Sequence, residues 1–307
     1  MNTALGKCVL APVVSLIVLA GQAEAQVASA LVREGDDVTG AGDIATNLFG
    51  TAANGIGGYA VRTITGSVDR IWGNHLGGPG SVLVSETNGL FGLNVTTLES
   101  NFGLSNGGVL VYGPNGTDIS SGTTGIDVCW TRDTVGMTDA EIAAEGDPIL
   151  TLPGMVFRFC SNMKITENGI PYFRGGIDTA AGADMGAGLI VGAGHTVLIK
   201  TGDAAPAPLP MGTLGDTNAA NADARLSALG THWINEMDTN LTGTMDGWMI
   251  VDGAIAMTSM GTFIGEGEAI PAASGGMPGE NWAFFDVMDI NENGDFFFTG
   301  DTGLADT

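Results

Sequence analysis

A chain of 307 residues is long enough for one large core or two ordinary ones. Its 34 acidic side chains against 10 Lys and Arg, a net charge of −24, oppose binding to nucleic acid or to an anionic membrane surface. Only 14% of residues are charged and 50 are glycine without a collagen period, which excludes a highly charged disordered chain and a triple helix.

The first element in chain order is a leader. Lys7 stands before the apolar run 9–20, and Ala23-Glu24-Ala25 offers the small-x-small pattern of a signal peptidase site. Residues 1–25 therefore read as a signal peptide cleaved near Ala25, and residues 26–307 as a single repeat domain, secreted or held at the cell surface. The apolar run is short for a retained anchor, and no membrane span is expected in the mature chain. Cys8 follows Lys7 rather than a small residue, which argues against a lipid anchor. Cys129 and Cys160 remain in a chain bound for an oxidising compartment, so a disulfide between them and two buried free thiols are both open.

Beyond the leader, two motifs alternate. One is a turn followed by an apolar strand: NGIGGYAV from Asn54, SNGGVLVYG from Ser105, TENGIPYF from Thr166, the degenerate NADARLSALG from Asn221, and NENGDFFF from Asn291. Asn-Gly makes a tight turn because it tolerates positive φ, and the aromatic run after it suits a buried strand. Taking Gly57, Gly107, Gly169, Ala224 and Gly294 as markers, subtraction gives steps of 50, 62, 55 and 70 residues. The other motif is a strand ending in Glu/Thr-Gly-Asp/Glu: LVREGDDV from Leu31, IAAEGDPI from Ile142, LIKTGDAAP from Leu198 and FIGEGEAIP from Phe263, with VLVSETNG from Val82 as a weaker copy. Between them lies a third apolar piece, in which Trp72, Trp130 and Trp248 hold comparable places. Only 138–145 (TDAEIAAE), with the look of a capping box, and 218–229 suggest short helical turns.

The unit is thus three or four strands per roughly sixty residues, the pattern of propeller blades. The fold expected is all-β, about five propeller-like repeats, closed by pairing of the N-terminal strand at Leu31 with the C-terminal one. An open β-array or sandwich of sheets is the alternative.

In NENGDFFFTG, TENGIPYFRG and the EGD strands the sequence resembles the choice-of-anchor tandem-repeat family of exported bacterial proteins, which is described by an NxxGxxxF motif. The resemblance follows the repeat phase through nearly all of the mature chain, although only Asn291, Gly294 and Phe298 match the motif fully. It implies export and propeller-like repeats. Family members often end in a hydrophobic and basic sorting segment, whereas this chain ends GDTGLADT. The family carries no established activity to transfer to these positions.

Catalytic constellations are absent from the sequence. His75, His195 and His232 are isolated, and there is no GxSxG elbow, P-loop or dinucleotide fingerprint. The sharpest chemical candidate is Asp289-x-Asn291-x-Asn293-Gly294-Asp295, the first half of a calcium loop, where alternate oxygens converge on a hard cation. Asp301 would add a carboxylate, but Gly300 stands where the loop wants glutamate. An ion-free Asn-Gly hairpin needs the same residues. The tryptophans would serve to stack on sugars if exposed, whereas their repeated place suits core packing. The expectation is an exported, non-enzymatic structural, adhesion or binding protein requiring no cofactor, with calcium as an option. Its partners would be an extracellular protein, a polysaccharide or further copies of itself. The alternative is a carbohydrate-binding or hydrolytic extracellular propeller, and a self-assembling filament or layer subunit is a third reading.

Overall fold

A computed structural model describes residues 32–38, 42, 44–86, 88–209, 212–215, 224–239 and 247–304. The leader, Leu31 and residues 221–223 of the Asn221 copy lie outside the described residues. What is seen is all-β, with 57% of residues in strands arranged as antiparallel sheets, none closed into a barrel.

The first sheet is a meander of β1 (Ala45–Ala53), β2 (Tyr59–Thr65), β3 (Val68–Asn74) and β4 (Ser81–Ser85). The second holds β5 (Asn88–Leu90), β6 (Leu93–Leu98), β7 (Gly103–Leu104), β8 (Val109–Tyr112), β9 (Pro114–Asp118), β10 (Thr124–Asp133) and β11 (Thr138–Ala144). Its pairings reduce it to the same meander: β6 and β7 together form the first strand, β8 and β9 the second, then β10 and β11, with β5 added at the edge beside β6. The third sheet is β12 (Met155–Ile165), β13 (Pro171–Thr179), β14 (Asp184–Val191) and β15 (Thr196–Lys200). The fourth is β16 (Arg225–Leu226), β17 (Trp233–Asp238), β18 (Gly247–Val251) and β19 (Ala254–Ile255), and the fifth is the hairpin of β20 (Glu280–Ile290) and β21 (Phe296–Leu304). The stretch 138–144, which carried the look of a helix cap, is strand β11, because its pairing along β10 outweighs a local signal.

Successive sheets stack through four cores. Ala60, Ile71 and Leu83 meet Leu93, Leu110 and Trp130; Val111 and Cys129 meet Phe157, Cys160 and Phe173; Tyr172 and Leu189 meet Met237 and Ile250; Ile234 and Met249 meet Phe285 and Met288. Neighbours such as Leu110 and Val111, Tyr172 and Phe173, or Met249 and Ile250 therefore feed cores on opposite sides of one sheet. Strands buried on both faces read as continuous apolar runs rather than alternations, which is why VLVY, PYF and GWMIV look alike in the sequence. Among the described residues no core joins the first sheet to the fifth, β21 pairs only with β20 and β1 only with β2. Among the described residues the sheets thus fit the open array, with no pairing between the first and last of them. Glu34–Thr307 makes one compact unit.

The five turns joining first to second strand share one construction. A side-chain oxygen at the first position accepts the N–H four residues on: Asn54 from Gly58 at 2.6 Å, Ser105 from Val109 at 2.9 Å, Thr166 from Ile170 at 2.9 Å, Ser227 from Thr231 at 3.1 Å and Asn291 from Asp295 at 3.0 Å. The fourth residue is glycine at positive φ each time, Gly57, Gly108, Gly169, Gly230 and Gly294. The structural markers correct two of those taken from sequence: Gly108 replaces Gly107, and Ser227-Ala-Leu-Gly230 replaces Asn221 to Ala224. Subtraction then gives steps of 51, 61, 61 and 64. Any short hydroxyl or amide side chain can do the first residue's work, so asparagine was too narrow a mark.

The second motif has its own task. Gly35, Gly146, Gly202 and Gly267 donate to the carbonyls of Ala45, Phe157, Leu214 and Trp282. The N–H groups of those four residues return bonds to Asp36, Asp147, Asp203 and Glu268. Each Gly-Asp or Gly-Glu pair therefore clamps a departing strand to the beginning of the next unit.

Candidate functional site

One junction between sheets departs from this rule. Between β4 and the second sheet the chain reads VLVSETNG, and the β5–β6 hairpin stands where the clamp would be. Its turn, Phe91-Gly92, has φ of 48° and 80°, as a two-residue hairpin requires, and Phe91 accepts the left-handed region without being glycine. The Phe91 ring meets Trp130 edge-on with centroids 5.1 Å apart.

A cleft of about 300 Å³ opens at this place. Val84, Leu90, Val95 and Leu98 give it apolar walls, Tyr112 and Trp130 aromatic ones, and Ser85, Glu86, Arg132 and Asp139 a polar lining. Tyr112 donates its hydroxyl to Asp139 Oδ1 at 2.8 Å, and Arg132 Nη1 approaches Asp139 Oδ2 at 2.6 Å. Trp130 Nε1 donates to Glu141 at 3.1 Å. The Arg132 Nε–H is buried and has no partner among the described residues. Burial, reinforced by Asp139, pushes the Tyr112 phenol up, so it stays a donor. Burial also raises the Glu86 carboxyl, against the backbone N–H of Asp69 and the charges of Arg62 and Arg70. The arrangement can enclose and orient a small molecule.

None of these cleft residues except Trp130 was singled out from sequence. The reading of VLVSETNG as a weaker copy of the clamp motif is corrected here, because a hairpin and not a clamp follows β4.

The sequence-derived candidates fall elsewhere. Asp289, Asn291, Asn293 and Asp295 lie at the fifth turn. Asn291 Oδ1 accepts the N–H groups of Asn293 and Asp295, Asn291 Nδ2 donates to Asp295 at 3.2 Å, and Asp289 Oδ1 accepts the N–H of Ile290 at 2.9 Å. The turn is thus tied by the same bonds as its four sisters. Among the described residues no group of three or more His, Cys, Asp or Glu is placed to hold a metal. Cys129 and Cys160 are both free thiols buried in the second core, one from each sheet that builds it. Trp72 and Trp130 are buried and Trp248 is packed against the third core, so the repeated tryptophans are packing residues. A Cβ on Gly80 or Gly265 would stand 2.4 Å from the ring of Trp72 or Trp248, so glycine on the neighbouring segment is what admits each ring.

Each histidine makes contacts to neighbouring segments. His195 joins the β14–β15 hairpin to its neighbour, with Nε2 at 2.8 Å from the Ile142 carbonyl. His232 pairs with Asp252 at 2.6 Å, and His75 lies against Thr134 and Gly108. No helix among the described residues is long and apolar enough to cross a membrane. Comparison with protein-family models and with curated proteins finds no match for the chain.

Proposed function

We propose that the protein is exported and acts outside the cell as a non-enzymatic structural or binding protein of the surface or matrix. The observation that carries this reading is the ladder formed by the turns. Asn106 Oδ1 accepts from Gly55, Asn106 N–H donates to the Glu167 carbonyl, Glu167 N–H to the Ala228 carbonyl, and Thr231 donates to Glu292. Five turns are thereby joined into one row along the array. Such a row, with stacked cores beside it, makes a stiff support whose long surface suits adhesion better than turnover. The signal-like leader, the acidity that keeps an extracellular chain dispersed, and the resemblance to the choice-of-anchor repeat proteins support the same reading. The meander order of the sheets supports treating them as propeller-like blades.

Fractionation of producing cells tests it. The expected result is a chain beginning at Gln26 in the medium or the matrix, which the purified protein binds without degrading. A cytoplasmic chain that keeps residues 1–25, or release of sugar ends or peptides from the matrix, would overturn it.

The cleft favours a second reading, carbohydrate binding, because it combines aromatic walls with carboxylates. Retention of the protein on polysaccharide stripped of matrix protein is the expected outcome under that reading.

A further inference from the structure

The third and fifth turns set one tripeptide in two surroundings. Both read Glu-Asn-Gly, with Asn168 and Asn293 exposed and Gly169 and Gly294 after them at φ of 91° and 79°. The backbone nitrogens of the two glycines are held alike, Gly169 donating to the Thr166 carbonyl at 3.0 Å and Gly294 to the Asn291 carbonyl at 3.1 Å. The asparagine side chains are not. Asn168 Nδ2 donates to the Leu229 carbonyl of the fourth turn at 3.2 Å, and Asn168 Oδ1 accepts from the Thr166 hydroxyl. Among the described residues no turn follows the fifth, and the Asn293 side chain has no hydrogen-bond partner.

We infer that Asn293 is a site of spontaneous covalent modification, where the side-chain amide is lost and an aspartyl or isoaspartyl residue takes its place. The Gly294 nitrogen, giving up its proton to solvent, attacks Cγ of Asn293. The bond from Cγ to Nδ2 breaks, ammonia leaves with a proton from water, and a succinimide ring remains. Water then adds to either ring carbonyl, and opening gives aspartate or the isoaspartyl linkage. The exchange consumes one water and releases one ammonia, with no oxidant or cofactor.

Two conditions favour this chemistry. The attacking residue must come close to Cγ, which glycine permits because it has no Cβ in the way. The asparagine must also be free to swing onto the backbone, and here Asn293 stands apart. Asn54 is tied to Ile56, Gly58, His75 and Ser105, Asn106 accepts from Gly55 and donates to Glu167, and Asn115 donates to Asp127 at 2.6 Å from within β9. The side chain of Asn88, which also precedes a glycine, lies outside the described residues.

Conversion would change the end of the array. The product carries a new negative charge between Glu292 and Asp295, and the isoaspartyl form lengthens the backbone by one atom inside the turn. Asn291 Oδ1 now holds the N–H groups of residues 293 and 295, a spacing the longer backbone loses. With the turn open, Glu292 would no longer be held against Leu229 and Thr231 of the fourth turn.

Peptide mapping by mass spectrometry of the folded chain held at mildly alkaline pH, with enzymatic methylation to count isoaspartyl groups, tests the inference. Asn293 should convert at least about tenfold faster than Asn168, because two ordinary hydrogen bonds must open before Asn168 can react. It should also lead Asn54, Asn106 and Asn115. In urea-denatured chain the rates at 293 and 168 should draw together, since Glu-Asn-Gly is then all that either site has. Asn293→Gln, whose longer side chain must close a larger ring, should stop conversion at 293 and leave the rate at 168 unchanged. Equal rates at 168 and 293 in the folded chain, no conversion at 293, or a difference that survives denaturation would each overturn the assignment.

Discussion

Asn54 Nδ2 lies 3.0 Å from the carbonyl oxygen of Ser105, the residue that begins the next turn 51 positions along the chain. The same side chain accepts the N–H groups of Ile56 and Gly58 and donates to the His75 carbonyl. One amide therefore closes its own turn and fastens it to two neighbours. Among the described residues Asn291 at the fifth turn bonds only within its turn. Asn54→Ala should cost about 2 kcal/mol and Asn291→Ala about 1 kcal/mol, since the first leaves more partners unsatisfied in part-buried surroundings. Thermal unfolding of the two variants checks the order, and equal losses would count against the ladder.

Calcium has to compete at the fifth turn for an oxygen already in use. Asn291 Oδ1 holds two backbone N–H groups, and taking it for a metal would open the turn. Addition of calcium should leave the melting temperature unchanged and give no binding heat. A rise that Asp289→Ala and Asp295→Ala abolish would show that the loop rearranges to bind the ion.

The two thiols should be silent in the native protein. Burial pushes the Cys129 thiol up, and burial with Cys129 close by pushes Cys160 up, so neither forms thiolate at neutral pH. An aromatic disulfide reagent should report no thiol in the folded mature chain and two after denaturation. None after denaturation would show that the protein carries the disulfide instead.

Glu99, half buried, gives a stability change of predictable sign. Burial, with Asp127 nearby, holds its carboxyl above the ordinary value, and Arg62 only partly offsets this. A raised carboxyl costs stability wherever the folded state has lost its proton. That cost is absent below the unfolded value and grows as pH rises through the folded one. Glu99→Gln should therefore raise the melting temperature at pH 7 and have little effect at pH 4. A variant less stable at pH 7 than the parent would mean that Glu99 has a stabilising partner.

The strands before the turns show where sequence reading stopped. In β12 the buried residues are Phe157, Cys160 and Met163, three apart, because register shifts at Phe157/Phe159 and Ser161/Lys164 turn the strand between them. In β20 a shift between Phe285 and Met288 does the same. Neither spacing fits an alternating strand. The second strands, such as PYFRGGIDT, are plain because burial on both faces leaves a short apolar run directly after the turn.

The sequence by itself determined the all-β class, the unit of about sixty residues and its two turn motifs, because positive-φ glycines and short oxygen-bearing side chains act within five residues of one another. VLVSETNG, which reads in the sequence as a weaker copy of the second motif, is instead the junction where the β5–β6 hairpin stands. Tertiary structure decided that the sheets stack as an open array, that the fourth turn begins at Ser227, and that Arg132, Asp139, Tyr112 and Glu86 line one cleft. Tyr112, Arg132 and Asp139 stand on three strands of the second sheet and Glu86 follows β4 of the first, and no local pattern encodes their meeting. It depends on bulges, register and the missing clamp, which become visible only when one sheet is laid on the next.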